Sequence, residues 1–163
     1  MVLQLNLRTH LMTHRSLLLG AFLALRSCAY AAEHSVPCNA LPAAVQQRGK
    51  SLLERGTTVH ACVKDVSAGK ITYEIELLTP QGSKDVTVSP QGNVLEVEQQ
   101  VDPATLPALV AAAFAKAATG GKLGKVESLT RQGQLIAFES TIEKGGKHHE
   151  VAFRPDGAPA KAD

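Results

Sequence analysis

Near the C-terminus, three consecutive residues have side chains that bind metal ions or transfer protons: His148, His149 and Glu150. The segment around them is predicted to be a strand, and successive side chains of a strand point to opposite faces. The two histidines are therefore not expected to converge on one ion, and His60, which is also on a polar face, is a possible third partner. The pattern predicts a solvated strand end, with no metal site and no bound cofactor.

Several glutamates are spaced like the paired carboxylates that perform general acid–base catalysis. They alternate with apolar residues, which is typical of a half-buried sheet, so we interpret them as a solvated sheet face. The sequence contains no Gly-x-Ser-x-Gly nucleophile motif and no glycine-rich phosphate loop between a strand and a helix. We therefore expect no catalytic residues and no enzymatic activity. The glutamates are Glu74, Glu76, Glu96, Glu98 and Glu139.

The N-terminus has the pattern of an export signal. Arg15 precedes an apolar run, residues 17–25, which is too short to span a bilayer, since a span takes about 20 residues. The Ala-Tyr-Ala segment that follows is the small-x-small pattern of a cleavage site, so we expect residues 1–31 to be a signal peptide. A short buried helix or an uncleaved anchor is the alternative, and the start is either Met1 or Met12.

The Leu-Arg-Ser-Cys segment that ends at Cys28 resembles a lipoprotein box, but Arg26 occupies a position that normally takes a small or apolar residue. We therefore favour an exported, periplasmic protein over one lipidated at Cys28. Removal of the signal leaves 14 of the 17 lysines and arginines against 15 acidic residues. This near-neutral charge argues against nucleic acid as a partner, and the mature chain has no apolar run long enough for a transmembrane span.

Export changes the interpretation of the cysteines, because Cys38 and Cys62 are then the only pair in the mature chain. In an oxidising compartment an even number of cysteines favours a disulfide. Strand alternation places Cys62 on the same face as His60 and Lys64, and the sequence does not show whether Cys38 reaches that face. Two free thiols are the alternative.

The mature chain repeats itself at an offset of 65 residues. The segment DVTVSPQG from Asp85 corresponds to EVAFRPDG from Glu150, and LPAAV from Leu41 corresponds to LPALV from Leu106. Two matched blocks at one offset are hard to attribute to chance. We therefore predict that the mature chain contains two tandem copies of one fold unit.

Each unit, residues 32–102 and residues 103–163, is predicted to be an N-terminal helix packed on a sheet of three or four antiparallel strands, which is an α+β fold. In the second unit, apolar residues from Leu106 to Ala117 have the spacing of an amphipathic helix. In the first unit, residues 71–77 alternate as in a half-buried strand. After Gly157 the second unit lacks a clear counterpart of the first unit's last strand, and we expect a short disordered tail.

The first unit resembles the PepSY-like family of exported bacterial domains in the order of four features. These are a helix opened by Leu-Pro, the strand Tyr-Glu-Ile-Glu, a glycine turn and the segment VTVSPQGNVLEV. The resemblance extends over about residues 41–158 and implies a fold similar to that of β-lactamase inhibitors. It also implies an exported binding or inhibitory module, and the family pattern contains no catalytic residues to transfer.

The missing last strand leaves a candidate partner-binding edge at Glu150, Val151, Ala152 and Phe153. Unpaired backbone groups at a sheet edge often recruit another chain, and the alternative is an edge covered by the tail. We predict an exported, non-enzymatic module that binds or inhibits another envelope protein or peptide. The alternative is a periplasmic sensor of a metal or a small molecule, which would require the three histidines to converge.

Overall fold

The computed structural model describes residues 32–161, so the predicted signal peptide, with Cys28, lies outside the described residues. Two short 3-10 turns, Cys38–Ala40 and Pro103–Thr105, precede the two helices. No helix within residues 32–161 is long and apolar enough to cross a membrane. The elements are β1 (Ala32–Ser35), α1 (Ala43–Ser51), β2 (Thr58–Ser67), β3 (Lys70–Thr79), β4 (Gly82–Val88), β5 (Val94–Gln100), α2 (Ala108–Ala117), β6 (Lys122–Arg131), β7 (Gln134–Lys144), β8 (Lys147–Phe153) and β9 (Pro159–Ala160).

The strands of the described chain form one nine-stranded antiparallel sheet, in which their spatial order is their order along the sequence. The prediction of two tandem units, each with its own small sheet, is therefore wrong. The sheet is continuous because β5 pairs with β6, from Glu96 opposite Arg131 to Gln100 opposite Glu127. This pairing satisfies backbone groups that two separate sheets would each have left at an exposed edge.

Both helices pack on the same face of the sheet. Val45 of α1 is fully buried in one apolar cluster, and Phe114 of α2 is buried in a second, where its ring meets that of Phe153 edge-to-face with centroids 5.0 Å apart. Burial of side chains of this size stabilises the fold by about 1.5–3 kcal/mol each. The strand residues under α1 are Cys62, Ile75, Leu77, Val86 and Val88, and those under α2 are Val126 and Phe138.

The helices form where the local sequence favours them. Residues 108–117 are mostly alanine, the strongest helix former, and Val110 and Phe114 lie four residues apart on the face that is buried. The side chain of Asp102 accepts a hydrogen bond from the backbone N–H of Ala104 at 2.9 Å, which caps the 3-10 turn before the helix.

Each helix is contacted in its first turn by one Pro-x-Gly turn. Gly92 and Gly157 both have φ of 79°, a conformation that favours glycine. A Cβ at Gly92 would lie 2.7 Å from the carbonyl oxygen of Ala44, and one at Gly157 would lie 2.9 Å from that of Leu109. Arg48 Nε also donates to the carbonyl of Gly92 at 2.9 Å. The turns therefore fix how closely the helices approach the sheet.

The predicted disulfide between Cys38 and Cys62 is confirmed, with the two Cα atoms 5.4 Å apart. Cys62 is buried under α1, and a bulge between Val59 and Ala61 places Val59 on the helix side as well. The bond joins the turn before α1 to β2, so it anchors the first helix on the sheet.

The C-terminal segment returns to the sheet after Gly157. Pro159 and Ala160 form β9 and pair with Phe153 and Ala152, so the last strand within residues 32–161 is two residues long.

Replacing Gly157 with alanine should lower the free energy of unfolding by about 2–4 kcal/mol. About 1–2 kcal/mol comes from the positive φ, and the rest from the overlap of the new methyl group with Leu109. The control is Gly133→Ala, because Gly133 has φ of 77° and nothing within 4 Å of an added Cβ. Urea unfolding of the two variants measures the difference, and equal losses would show that the contact with α2 is unimportant.

Reduction of the Cys38–Cys62 bond, which closes a loop with a sequence separation of 24, should lower the free energy of unfolding by roughly 3 kcal/mol. The measurement is urea unfolding with and without dithiothreitol. The double variant Cys38→Ala, Cys62→Ala is the control and should respond to urea identically in both conditions. A reductant effect on this variant would show that the loss does not come from the disulfide.

Candidate functional site: the acidic face of the sheet

The face of the sheet opposite the helices carries a concentration of carboxylates. Cross-strand register aligns Glu76 of β3 with Asp85 of β4 and Glu98 of β5, and it aligns Glu127 of β6 with Glu139 of β7. We call this surface the acidic face. Its central carboxylates are Glu74, Glu76, Asp85, Glu96, Glu98, Glu127, Glu139 and Glu150.

The acidic face places like charges directly opposite one another on neighbouring strands. Glu76 lies opposite Asp85, Asp85 opposite Glu98, and Glu127 opposite Glu139. Carboxylate oxygens of Asp85, Glu98 and Glu127 all lie within 4.8 Å of one another. Like charges in such cross-strand pairs destabilise a sheet, so this arrangement works against the stability of the isolated protein.

Two basic side chains of β6 offset part of this charge. Lys125 Nζ lies 2.8 Å from Glu127 Oε1 and donates to Ser83 Oγ at 2.9 Å. Arg131 forms an ion pair with Glu96. Both basic side chains are exposed, so each pair contributes little stability in water.

Apolar side chains lie between the carboxylates and reduce their contact with water. Leu129, Ala137 and Ala152 form a buried cluster on this face, and Leu129 is only 1% exposed. Leu129 lies opposite Glu98, and Ala152 lies opposite Glu139. Both glutamates are half-buried, so the prediction of a solvated face is wrong for the residues at its centre.

The pKa values follow from this environment. Burial, reinforced by repulsion from Glu139 and other carboxylates, raises the pKa of Glu98 to about 7. Burial also raises the pKa of Asp85, with Glu127 adding to the effect and Lys125 opposing it. The pKa of Glu139 is raised by burial first and by Glu96 second. Glu98 therefore changes charge near neutral pH, unlike an ordinary glutamate.

A pocket of about 270 Å³ opens at the centre of the acidic face. Its lining includes Glu98, Glu127, Glu139 and Glu150, with Lys125 at one side. The pocket thus offers carboxylate oxygens to a cationic group. Oxygen atoms are the ligands that hard divalent cations accept, but a cluster of acids alone does not define a metal site, and we assign none.

The histidines considered in the sequence do not converge. His148 lies opposite Glu143 on the acidic side, whereas His149 lies opposite Ile142 on the helix side. His60 belongs to β2, six strand positions from β8, which corresponds to about 29 Å at the usual spacing between strands. Their arrangement does not favour the histidine version of a metal sensor.

The predicted partner-binding edge is partly covered. Ala152 and Phe153 pair with β9, and Phe153 also packs on α2. Of the four edge residues only Glu150 is exposed, and it also lines the acidic pocket. Whether this edge binds a partner stays a prediction.

Part of the acidic face is predictable from the sequence, but two of its central residues lie outside that prediction. Alternation points to Glu98 and Glu139 as members of one sheet face, and the prediction does not group Asp85 and Glu127 with them. The signal was present, because Asp85 and Glu127 also alternate with buried residues, Val86 and Val126. Only the pairing of β5 with β6 brings these carboxylates together.

Comparisons with known proteins give fold relatives but no family assignment. No family model matches the chain, and no curated protein matches it. A solved DUF2874 family protein from Bacteroides ovatus is 14% identical with a TM-score of 0.57, over 74% of this chain and 85% of that one. A protein from Bacteroides eggerthii, whose name places it provisionally in the periplasm, is 16% identical with a TM-score of 0.59, over 74% and 86%. At these identities the likeness shows the fold alone, and the resemblance to the PepSY-like family stays a prediction.

The variant Glu98→Gln should be more stable than the natural protein at pH 8 by about 1–2 kcal/mol, after allowance for solvent screening. The pKa of Glu98 is higher in the folded than in the unfolded chain, so the folded state binds the proton more tightly. Stability therefore falls as pH rises from about 4.5 to about 7, and the variant lacks this loss.

Urea unfolding of both proteins across this pH range measures the effect, and the difference should shrink toward zero at about pH 4.5. Glu54→Gln, at an exposed position after α1, is the matched control and should change little. If Glu98→Gln has the same free energy of unfolding as the natural protein at pH 8, burial of this carboxylate does not destabilise the fold.

Proposed function

We propose that this protein is an exported, non-enzymatic binding module whose acidic face holds a basic segment of another envelope protein. The observation that carries the proposal is that three carboxylates of the same charge lie side by side across the sheet. Glu76, Asp85 and Glu98 lie opposite one another on three neighbouring strands. Lys125 and Arg131 offset only part of this charge, and a partner rich in lysine or arginine supplies more positive charge.

Export is supported by the signal pattern of residues 1–31 and by the disulfide between Cys38 and Cys62. Disulfides persist in oxidising compartments and are rare in the cytosol. The fold relative from Bacteroides eggerthii carries a provisional periplasmic description, which agrees with this placement.

The choice of a basic segment rests on the chemistry of the acidic face. Carboxylate rows on neighbouring strands repeat at about 4.8 Å, and side chains on one side of an extended segment repeat at about 6.6 Å, so alternating basic residues can contact several carboxylates together. Because Glu98 and Glu139 are half-buried beside Leu129 and Ala152, their attraction to a bound cation is screened less than it would be on an open surface.

A second candidate is the binding of a divalent cation by the same surface. The close approach of Asp85, Glu98 and Glu127, within 4.8 Å, favours it over the histidine-based sensor. The two candidates differ in what occupies the face, and one experiment separates them.

The probe is a fluorescein-labelled peptide of alternating lysine and alanine, whose binding is followed by fluorescence anisotropy in buffer with EDTA. We expect the purified protein to bind it, and we expect the double variant Asp85→Asn, Glu127→Gln to bind at least about tenfold more weakly. Glu54→Gln removes one charge away from the acidic face and should bind like the natural protein. A peptide of alternating glutamate and alanine should not bind.

Two outcomes overturn the proposal. If the double variant binds the peptide as tightly as the natural protein, the binding site lies away from Asp85 and Glu127. The edge at Glu150–Phe153 is one such site. Failure of the lysine peptide to bind, together with saturable calcium binding in a calorimetric titration without EDTA, would establish the divalent-cation alternative instead.

A further inference from the structure

Glu98 occupies the centre of the acidic face, and charged groups approach it from every neighbouring element. Asp85 lies directly opposite on β4, and Leu129 lies opposite on β6 with Glu127 two residues away. Leu129 is buried, so Glu98 has an apolar neighbour on one side and a carboxylate on the other. The charged and titratable groups around it are Glu74 and Glu76 of β3, Asp85 of β4, Glu96 of β5, Lys125, Glu127 and Arg131 of β6, Glu139 of β7, Glu150 of β8 and His60 of β2, which interacts electrostatically with Asp85.

We propose that Glu98 is a proton switch in the acidic face, so that the protein holds its basic partner above neutral pH and releases it in mildly acidic surroundings. This inference rests on the proposed function and adds its regulation. The geometry supports it, because oxygen atoms of Asp85, Glu98 and Glu127 lie within 4.8 Å of one another. Lys125 pairs with Glu127, and the repulsion that remains among the three carboxylates is relieved when a proton or a ligand cation joins them.

A proton and a basic partner therefore compete for the same place. When the partner is absent, uptake of one proton by Glu98 relieves the repulsion, which agrees with its raised pKa of about 7. When the partner is present, its cation provides that relief and Glu98 releases the proton. Linkage then requires the affinity for the partner to fall as the pH falls below neutrality.

Other titratable groups on this side of the sheet either add to the pH dependence of binding or offer a different explanation for it. The pKa values of Asp85 and Glu139 are also raised by burial, so proton uptake by these groups acts in the same direction. His60 interacts electrostatically with Asp85 and lowers the pKa of that carboxyl, so a charge on this histidine is the rival explanation for a pH dependence. A test must therefore distinguish a carboxylate switch from a histidine switch.

The experiment measures the affinity for the fluorescein-labelled lysine–alanine peptide at pH 8 and at pH 6, in buffer with EDTA. The charge of the peptide is constant over this range, because lysine has a pKa of about 10.4. If binding requires ionised Glu98, the dissociation constant should rise about tenfold between pH 8 and pH 6. Glu98→Gln should bind more weakly at pH 8 and should lose most of this pH dependence.

The control variants are Glu54→Gln, which changes the same charge away from the acidic face, and His60→Asn. Both should keep the full pH dependence. Equal binding at the two pH values would overturn the switch while leaving the proposed function intact. A pH dependence that persists in Glu98→Gln and disappears in His60→Asn would assign it to the histidine and also overturn the inference. Absence of binding at both pH values would overturn the proposed function and the switch together.

Discussion

The backbone pairing of β5 with β6 is the interaction on which the rest of the structure depends. It joins the strands that follow α1 to those that follow α2, and so converts two potential small sheets into one of nine strands. The same pairing sets the register of Glu98 against Leu129 and brings Glu127 beside the carboxylates of β4 and β5. Fold and candidate site therefore share one determinant, since a one-residue slip in this register would move side chains to the opposite face.

The placement of both helices on one face explains why charge collects on the other. Apolar side chains of each strand are buried under α1 or α2, so the alternate positions must face away from the helices. In β3 these positions are Glu74, next to the buried residue Ile75, and Glu76, between the buried residues Ile75 and Leu77. A single alternation along the strand thus supplies both the hydrophobic core and the acidic face.

Local patterns of the sequence predicted local structure well and long-range structure poorly. The helical spacing that begins at Leu106 corresponds to α2, and the alternation from Ile71 lies within β3. The pairing of β5 with β6 could not be predicted, because edge pairing depends on backbone groups that every strand has. The bulge at His60 was equally hidden, and it puts Val59 and Cys62 on one side where simple alternation separates them. For the acidic face, alternation indicated the side of each glutamate but not its neighbours across the sheet.

Partial burial gives the acidic face its chemical character. Carboxylates on a fully solvated sheet interact weakly, because water and salt screen their charges. Here Leu129, Ala137 and Ala152 exclude water between the strands, so the carboxylates stay coupled and Glu98 is protonated more easily. The same coupling increases the gain when a cation approaches, since one positive charge then relieves repulsion among several acids. The arrangement that lowers the stability of the free protein therefore also favours a basic ligand. The disulfide and the two helices on the opposite face offset this loss of stability.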